Sequence, residues 1–204
     1  MVAFSMHAAF LLGGAIILAM VIADRVAFSR KNSSALGYGF AVSRYEEILQ
    51  IPGERFDRDG NLPLPRGVAR LCPDRRAIVL LPDWKRFGLK FRTAWPLNGA
   101  VYYTRLGEPS GITFVKRMPW SSALLTGVWF LTVAGGVVVY LVSYAQAGGF
   151  RSATGAFLGV ALSGLGLLVL LFGLMVVVAG YRLEDKRLME VYEELRAALA
   201  HSPP

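Results

Sequence analysis

Apolar and polar residues are separated along this chain on two length scales. On the longer scale, three stretches, Val2–Ala23, Ser121–Phe150 and Ser152–Tyr181, contain no Asp, Glu, Lys or Arg. As helices, each is long enough to cross a hydrocarbon core of roughly 30 Å, which takes about 20 residues. On the shorter scale, residues 24–119 break into brief apolar runs separated by turn residues. The pattern predicts an α+β membrane protein: three transmembrane helices, a small antiparallel β-rich cytoplasmic domain inserted between helices 1 and 2, and a C-terminal amphipathic helix. The predicted boundaries are 1–23, 120–146 and 154–181 for the spans. The domain occupies 24–119, a short external loop 147–153, and the tail 182–204.

Within the inserted block, strand character is found at Phe40–Tyr45, Val68–Cys72, Ala77–Leu81, Gly88–Trp95, Ala100–Arg105 and Gly111–Arg117. The clearest alternation is Leu89-Lys90-Phe91-Arg92-Thr93-Ala94-Trp95. In a half-buried strand, Leu89, Phe91 and Trp95 face a core while Lys90 and Arg92 face water. Pro73-Asp74, Pro82-Asp83, Pro96-Leu97-Asn98-Gly99 and Gly107-Glu108-Pro109 mark turns between the runs. This spacing predicts a compact antiparallel sheet, with a small barrel as one form of it. Ser43–Ile51 reads alternatively as a short helix that stops before Pro52-Gly53. In the tail, Leu188, Val191, Tyr192, Leu195 and Leu199 recur at three and four residues and form an apolar stripe on a helix. That stripe is expected to pack on the middle domain, with a second chain as the other option.

Charge sets an orientation. The formal net charge of +8 is carried by the middle block, while the tail is slightly acidic. Arg25, Arg30 and Lys31 follow the first stretch, Lys116 and Arg117 precede the second, and Arg182, Lys186 and Arg187 follow the third. Basic residues near membrane ends favour the cytoplasmic side. The expected topology is therefore N-terminus out, domain and C-terminus in, in the cell inner (plasma) membrane. No basic region precedes the first stretch, so it reads as an uncleaved anchor rather than a signal peptide. The same eight basic residues are the candidate contacts to anionic lipid headgroups.

Candidate chemistry is sparse. Asp57-Arg58-Asp59-Gly60-Asn61 has its glycine at the wrong place for an EF-hand, and a turn is the expected reading. Gly37-Tyr38-Gly39-Phe40 lacks the context of a phosphate loop and reads as a linker. His7 and His201 stand at opposite ends, and Cys72 is the single cysteine, so neither a zinc set nor a Ser-His-Asp triad is apparent. Cys72 reads as a small buried residue, His7 as a solvated interfacial one. No catalytic, cofactor-binding or metal residues are assigned, no cofactor is implied, and no nucleic-acid signature is present.

Small residues in the spans, Ala15, Ala19, Gly127, Gly155, Gly159 and Ser163, are candidates for close helix packing. No ionisable residue lies deep in a span, which disfavours a pump. The expected function is that of a non-enzymatic membrane protein whose cytoplasmic domain is a binding or regulatory platform. It would serve as an accessory subunit, with a membrane-protein partner or a second copy. The alternatives are an oligomeric channel or transporter subunit and, below it, a lipid-acting enzyme.

Overall fold

The structure, a computed structural model, describes residues 14–24, 26, 36 and 38–200. Outside the described residues lie His7 and the rest of 1–13, Arg25, Arg30, Lys31, Gly37 and His201. The fold is α+β. Its strands are β1 (Phe40–Gln50), β2 (Asn61–Leu64), β3 (Gly67–Cys72), β4 (Ala77–Pro82), β5 (Asn98–Tyr103) and β6 (Pro109–Met118). Its helices are α1 (Gly14–Asp24), α2 (Trp120–Gln146) and α3 (Ala153–Ala200). By length and composition, α2 and α3 are able to cross a membrane, whereas the described α1 is shorter than a crossing requires.

All six strands form one antiparallel sheet in the order β1-β6-β5-β4-β3-β2. From β2 to β6 the chain meanders, and β1 then adds to the far side of β6. β1 and β2 are left as the two edges, so the sheet is open and not a barrel. β4, Ala77-Ile78-Val79-Leu80-Leu81-Pro82, is central and apolar on both faces, as a strand covered on both sides must be. Ile78 and Leu80 point to one face with Val101, Tyr103, Ile112 and Phe114. Cys72, Ala77, Val79 and Ala100 point to the other, where Leu36 lies against them and the Tyr102 hydroxyl donates to the Leu36 carbonyl at 2.8 Å.

The main core is closed by the end of α3. Leu188, Val191, Tyr192, Leu195 and Leu199, the stripe visible in the sequence, are all buried against the sheet. The tail therefore packs within its own chain. Burial of each large side chain contributes about 1.5–3 kcal/mol, so this segment is an integral part of the domain. Gly67 and Gly99 allow the approach: a Cβ on Gly99 would lie 2.6 Å from the Phe114 ring, and one on Gly67 3.0 Å from Val191. The β2–β3 turn is fastened to the same helix by Arg66, whose backbone N–H donates to Glu194 (2.9 Å) and whose guanidinium donates to Glu190 (2.5 Å).

Three local expectations are corrected. Residues 43–51 do not form a helix. Their Glu, Leu and Gln residues suit one, but pairing of ten β1 residues with β6 overrides that propensity. Asn61–Leu64 is a strand, although its two leucines flank a proline and show no strand pattern of their own. Pro63 is tolerated because β2 is an edge. Gly88–Trp95, the clearest alternation, belongs to no strand. Its backbone groups bond to side chains of α3 instead, and Leu89 and Phe91 remain 54% and 52% exposed. The 57–61 segment is a turn, with the Asp57 carboxylate accepting from the N–H groups of Asp59 and Asn61.

α2 and α3 form an antiparallel hairpin. Gly148, with φ of 75°, takes the left-handed conformation that ends α2. Along α3, glycines recur every seven residues at 159, 166, 173 and 180. A large side chain presses on each: Phe150 and Tyr144 on Gly159, Val137 on Gly166, Trp129 on Gly173 and Trp95 on Gly180. The seven-residue period keeps one face of α3 turned to its neighbour. Both helices leave their other faces exposed and apolar, including Leu131, Phe157, Leu168 and Phe172.

α1 meets this hairpin at its base. The buried Asp24 carboxylate accepts from the Ser121 N–H at 2.6 Å, in the first turn of α2. A carboxylate there satisfies an otherwise orphaned donor and complements the helix dipole. The same carboxylate accepts from Tyr38. Burial first, and then this bond, push the Tyr38 hydroxyl pKa up to about 12.

Candidate functional site

The most elaborated polar geometry in the chain lies where α3 passes from its apolar half to its sheet-covering half. Glu184 and Arg187 are one helical turn apart, and only 5% and 2% exposed. Three residues of spacing put both side chains on one face, and that face is turned to the 88–95 segment. The Arg187 guanidinium donates to the Glu184 carboxylate at 2.8 Å, to the Phe91 carbonyl at 2.9 Å and to the Leu89 carbonyl. It also stacks near the Phe87 and Phe91 rings, 5.4 and 5.7 Å from their centroids. Glu184 in turn accepts from the Thr93 N–H at 3.3 Å. A buried ion pair is stable only when its remaining valences are met, and this one meets them largely with loop backbone. The segment that looks like a strand is thus held by α3 in place of a neighbouring strand.

The same segment reaches the base of the helical hairpin through Trp95. Its indole N–H donates to Thr126 at 2.9 Å, and its ring packs closely against Gly180. Ser122 donates to the Ala94 carbonyl at 2.6 Å. Beneath this bridge is an open, strongly apolar groove of about 580 Å³, bordered by Val21, Leu125, Trp129, Phe172 and Val176. Replacing Gly180 by leucine is expected to lever Trp95 out of its seat, since even a Cβ there would lie 2.6 Å from the ring. A red shift of tryptophan emission, absent in a Trp95→Phe background, checks this.

On the domain side of the clamp is a second cavity, of about 350 Å³. Val68, Leu81, Leu97 and the Trp84 ring give it apolar walls, while Asp83, Arg92, Asn98, Glu184 and Arg187 give it polar ones. Its two carboxylates are engaged. Asp83 accepts from the Lys85 N–H at 3.2 Å and pairs with Arg86 at 3.2 Å, and Glu184 is held as described. Among the described residues, two buried donors of its lining residues, Arg187 Nε and Asn98 Nδ2, have no hydrogen-bond partner. The Arg92 side chain is exposed and, among the described residues, forms no ion pair.

The residues singled out from the sequence are dispersed. Arg187 is buried in the clamp, and Lys116 is mostly covered and paired with Asp185 at 2.5 Å, so neither offers its charge to a surface. Arg117 donates to the Gly39 carbonyl at 3.2 Å. Arg182 and Lys186 are exposed beside one another on α3, and Arg25, Arg30 and Lys31 lie outside the described residues. Of the small residues, Gly159 is at a helix contact and Ser163 bonds back to its carbonyl at 2.7 Å. A Cβ on Gly155 would meet the Gly149 carbonyl, in the turn between the helices. Gly127 faces open space, and Ala15 and Ala19 are exposed.

Among the described residues, no three His, Cys, Asp or Glu side chains gather around a common point. Cys72 is buried on the sheet face away from α3, and that burial pushes its thiol pKa up, away from the reactive thiolate. Compared with known proteins, the chain matches no protein-family model, no curated protein and no solved structure.

Proposed function

We propose that the chain is an integral protein of the cell inner membrane and that its soluble domain is a cytoplasmic binding platform. In this reading it is an accessory subunit of a larger membrane complex. One observation carries it: α3 is a single helix whose first half is apolar and exposed except along the face packed on α2, and whose last part closes the core of the domain. Soluble proteins rarely leave so large an apolar surface uncovered, whereas lipid covers it at no cost. A domain sharing a helix with a span is fixed in height and orientation against the bilayer, as a platform requires. Residues 1–23 would complete a third span, their end tied to α2 through Asp24.

Further placements agree with this reading. The exposed Leu89 and Phe91 and the basic Arg182 and Lys186 fall near the same level, at the domain end of the apolar helices. Apolar rings with basic neighbours suit the headgroup boundary. Lys116 and Arg187 are withdrawn from that role by their internal partners, which leaves Arg182 and Lys186 as its main bearers on α3.

Orientation is testable because Cys72 is the single cysteine. In a Cys72→Ser background, Ala147→Cys should react with an impermeant maleimide in intact cells, and Arg58→Cys only after permeabilisation. The reverse pattern would overturn the topology. For the platform, extraction into native nanodiscs followed by mass spectrometry should recover a stoichiometric protein partner. A partner-free monomer would overturn it, and a homo-oligomer would favour the channel reading.

A further inference from the structure

We propose that the foot of the domain is a binding site for one anionic phospholipid, its headgroup held by Lys90 and Arg92 and one acyl chain laid in the groove beneath Trp95. The inference rests on the reading of α2 and α3 as membrane spans and adds the ligand that the site at their base would take. The charge comes from one segment. Trp84-Lys85-Arg86-Phe87-Gly88-Leu89-Lys90-Phe91-Arg92 contains four basic residues and no acid. Arg86 is spent within the fold, on Asp83 and on the carbonyls of Leu64 and Pro65. The nearby carboxylates are already neutralised, Asp83 by Arg86 and Glu184 by Arg187. Lys90 and Arg92 are exposed and, among the described residues, form no ion pair. They are therefore surplus positive charge.

The course of the segment along α3 sets its depth. Trp95 is seated on Gly180, next to the end of the apolar run at Tyr181. The Thr93 N–H is bonded to Glu184, and the Phe91 carbonyl to Arg187. At 1.5 Å per residue of helix, Arg187 lies about 10 Å beyond Gly180. The headgroup layer outside the hydrocarbon is about 5–8 Å thick. Arg92, between Phe91 and Thr93, falls within that layer. The same bonds to α3 fix the backbone in advance, so a headgroup meets a preformed surface and little ordering opposes its binding.

The groove supplies the rest of the site. Ala94 and Trp95 border it, and two extended residues span about 7 Å, so Arg92 stands at its lip. Its walls are apolar, and the hydroxyls of Ser122 and Thr126 are engaged with Ala94 and Trp95. An acyl chain fills such a groove without stranding a polar group. The lipid whose chain lies there places its phosphate at the level of the two cations. A zwitterionic headgroup brings its own ammonium to that place, whereas an anionic one brings net negative charge, so the surplus on Lys90 and Arg92 selects the anionic lipid.

The full chain, purified in detergent, is incubated with equal amounts of phosphatidylglycerol and phosphatidylcholine of identical chains, and retained lipid is counted by native mass spectrometry. One phosphatidylglycerol should be retained, in preference to phosphatidylcholine by about tenfold or more, as two cations beside a headgroup imply. Lys90→Gln combined with Arg92→Gln should bring the two lipids near parity. Arg58→Gln, exposed at the far end of the domain, should change nothing. Val176→Trp, which fills the groove, should lower retention of both lipids, and continued protection of Cys72 from maleimide shows that this variant is folded. Equal retention of the two lipids by the wild type overturns the site, as does a preference that survives the double substitution or a retention that survives Val176→Trp in the folded variant. No retained lipid of either class overturns it too and leaves the groove to a partner helix. Sidedness and protein partners do not enter this readout, so topology labelling and partner recovery can fail while it succeeds, and the reverse.

Discussion

Replacing Arg187 by leucine is expected to destabilise the soluble domain by about 3–5 kcal/mol, the usual cost of removing one partner of a buried ion pair. The substitution leaves the Glu184 carboxylate buried with only the Thr93 N–H to bond it, and strips the Leu89 and Phe91 carbonyls of their donor. Arg187→Lys should recover only part of the loss, because one ammonium cannot reproduce a planar fork that reaches two carbonyls and a carboxylate together. The damage should be centred on the 88–95 segment, which has no strand pairing to fall back on. Lys90 and Arg92 make this measurable, since both are trypsin sites within the loop. Cleavage there should accelerate by about a hundredfold or more in Arg187→Leu, as opening governed by a loss of this size would produce. Arg182→Leu, five residues earlier on the exposed side of α3, should leave the rate unchanged. Equal cleavage in wild type and Arg187→Leu would show that the clamp does not hold the loop.

How much of this site the sequence discloses depends on whether local pattern or tertiary contact decides each residue. The α3 stripe was legible because Leu188, Val191, Tyr192, Leu195 and Leu199 obey the helical period and are buried for that reason. β4 was legible because a central strand is apolar on both faces. The clamp was not. A basic residue just beyond an apolar stretch reads as a topology signal, and nothing in the order of residues says that Arg187 turns inward to bond a distant backbone. Leu89-Lys90-Phe91-Arg92 misled for the same reason: alternation reports two faces, but not whether a neighbouring strand is there to receive them. The seven-residue glycine period of α3 is present in the sequence, overlaid by small residues at four-residue spacings. Its meaning depends on the bulk of Tyr144, Val137, Trp129 and Trp95, which only the fold brings opposite.

The second large effect concerns Tyr192, through which α3 holds β6 and the edge strand β1. Its ring is fully buried and stacked on Phe114, with centroids 4.3 Å apart and planes parallel. Its hydroxyl donates to Glu47 of β1 at 2.5 Å, and Glu47 also pairs with Arg196 at 3.2 Å. Tyr192→Ala should cost about 3–5 kcal/mol, the range for emptying an aromatic site in a packed core. Tyr192→Phe keeps the stack and should cost about 1–3 kcal/mol, because Glu47 loses a donor in a largely covered place. The two variants differ in their response to alkali. Burial above all, reinforced by the hydrogen bond to Glu47, raises the pKa of the Tyr192 hydroxyl above its ordinary value of 10.0. An acid whose folded pKa is raised contributes stability that is intact below the unfolded pKa and is lost above it, as the unfolded chain releases a proton that the native state retains. Wild-type stability should therefore decline from about pH 10 upward. Tyr192→Phe should be less stable at neutral pH and yet decline less steeply in alkali, so the two curves converge. Chemical unfolding at neutral pH and at successive alkaline values checks the slope. Parallel curves would show that the Tyr192 hydroxyl releases its proton alike in the folded and unfolded chain, so that neither its burial nor its bond to Glu47 favours the protonated form in the native state.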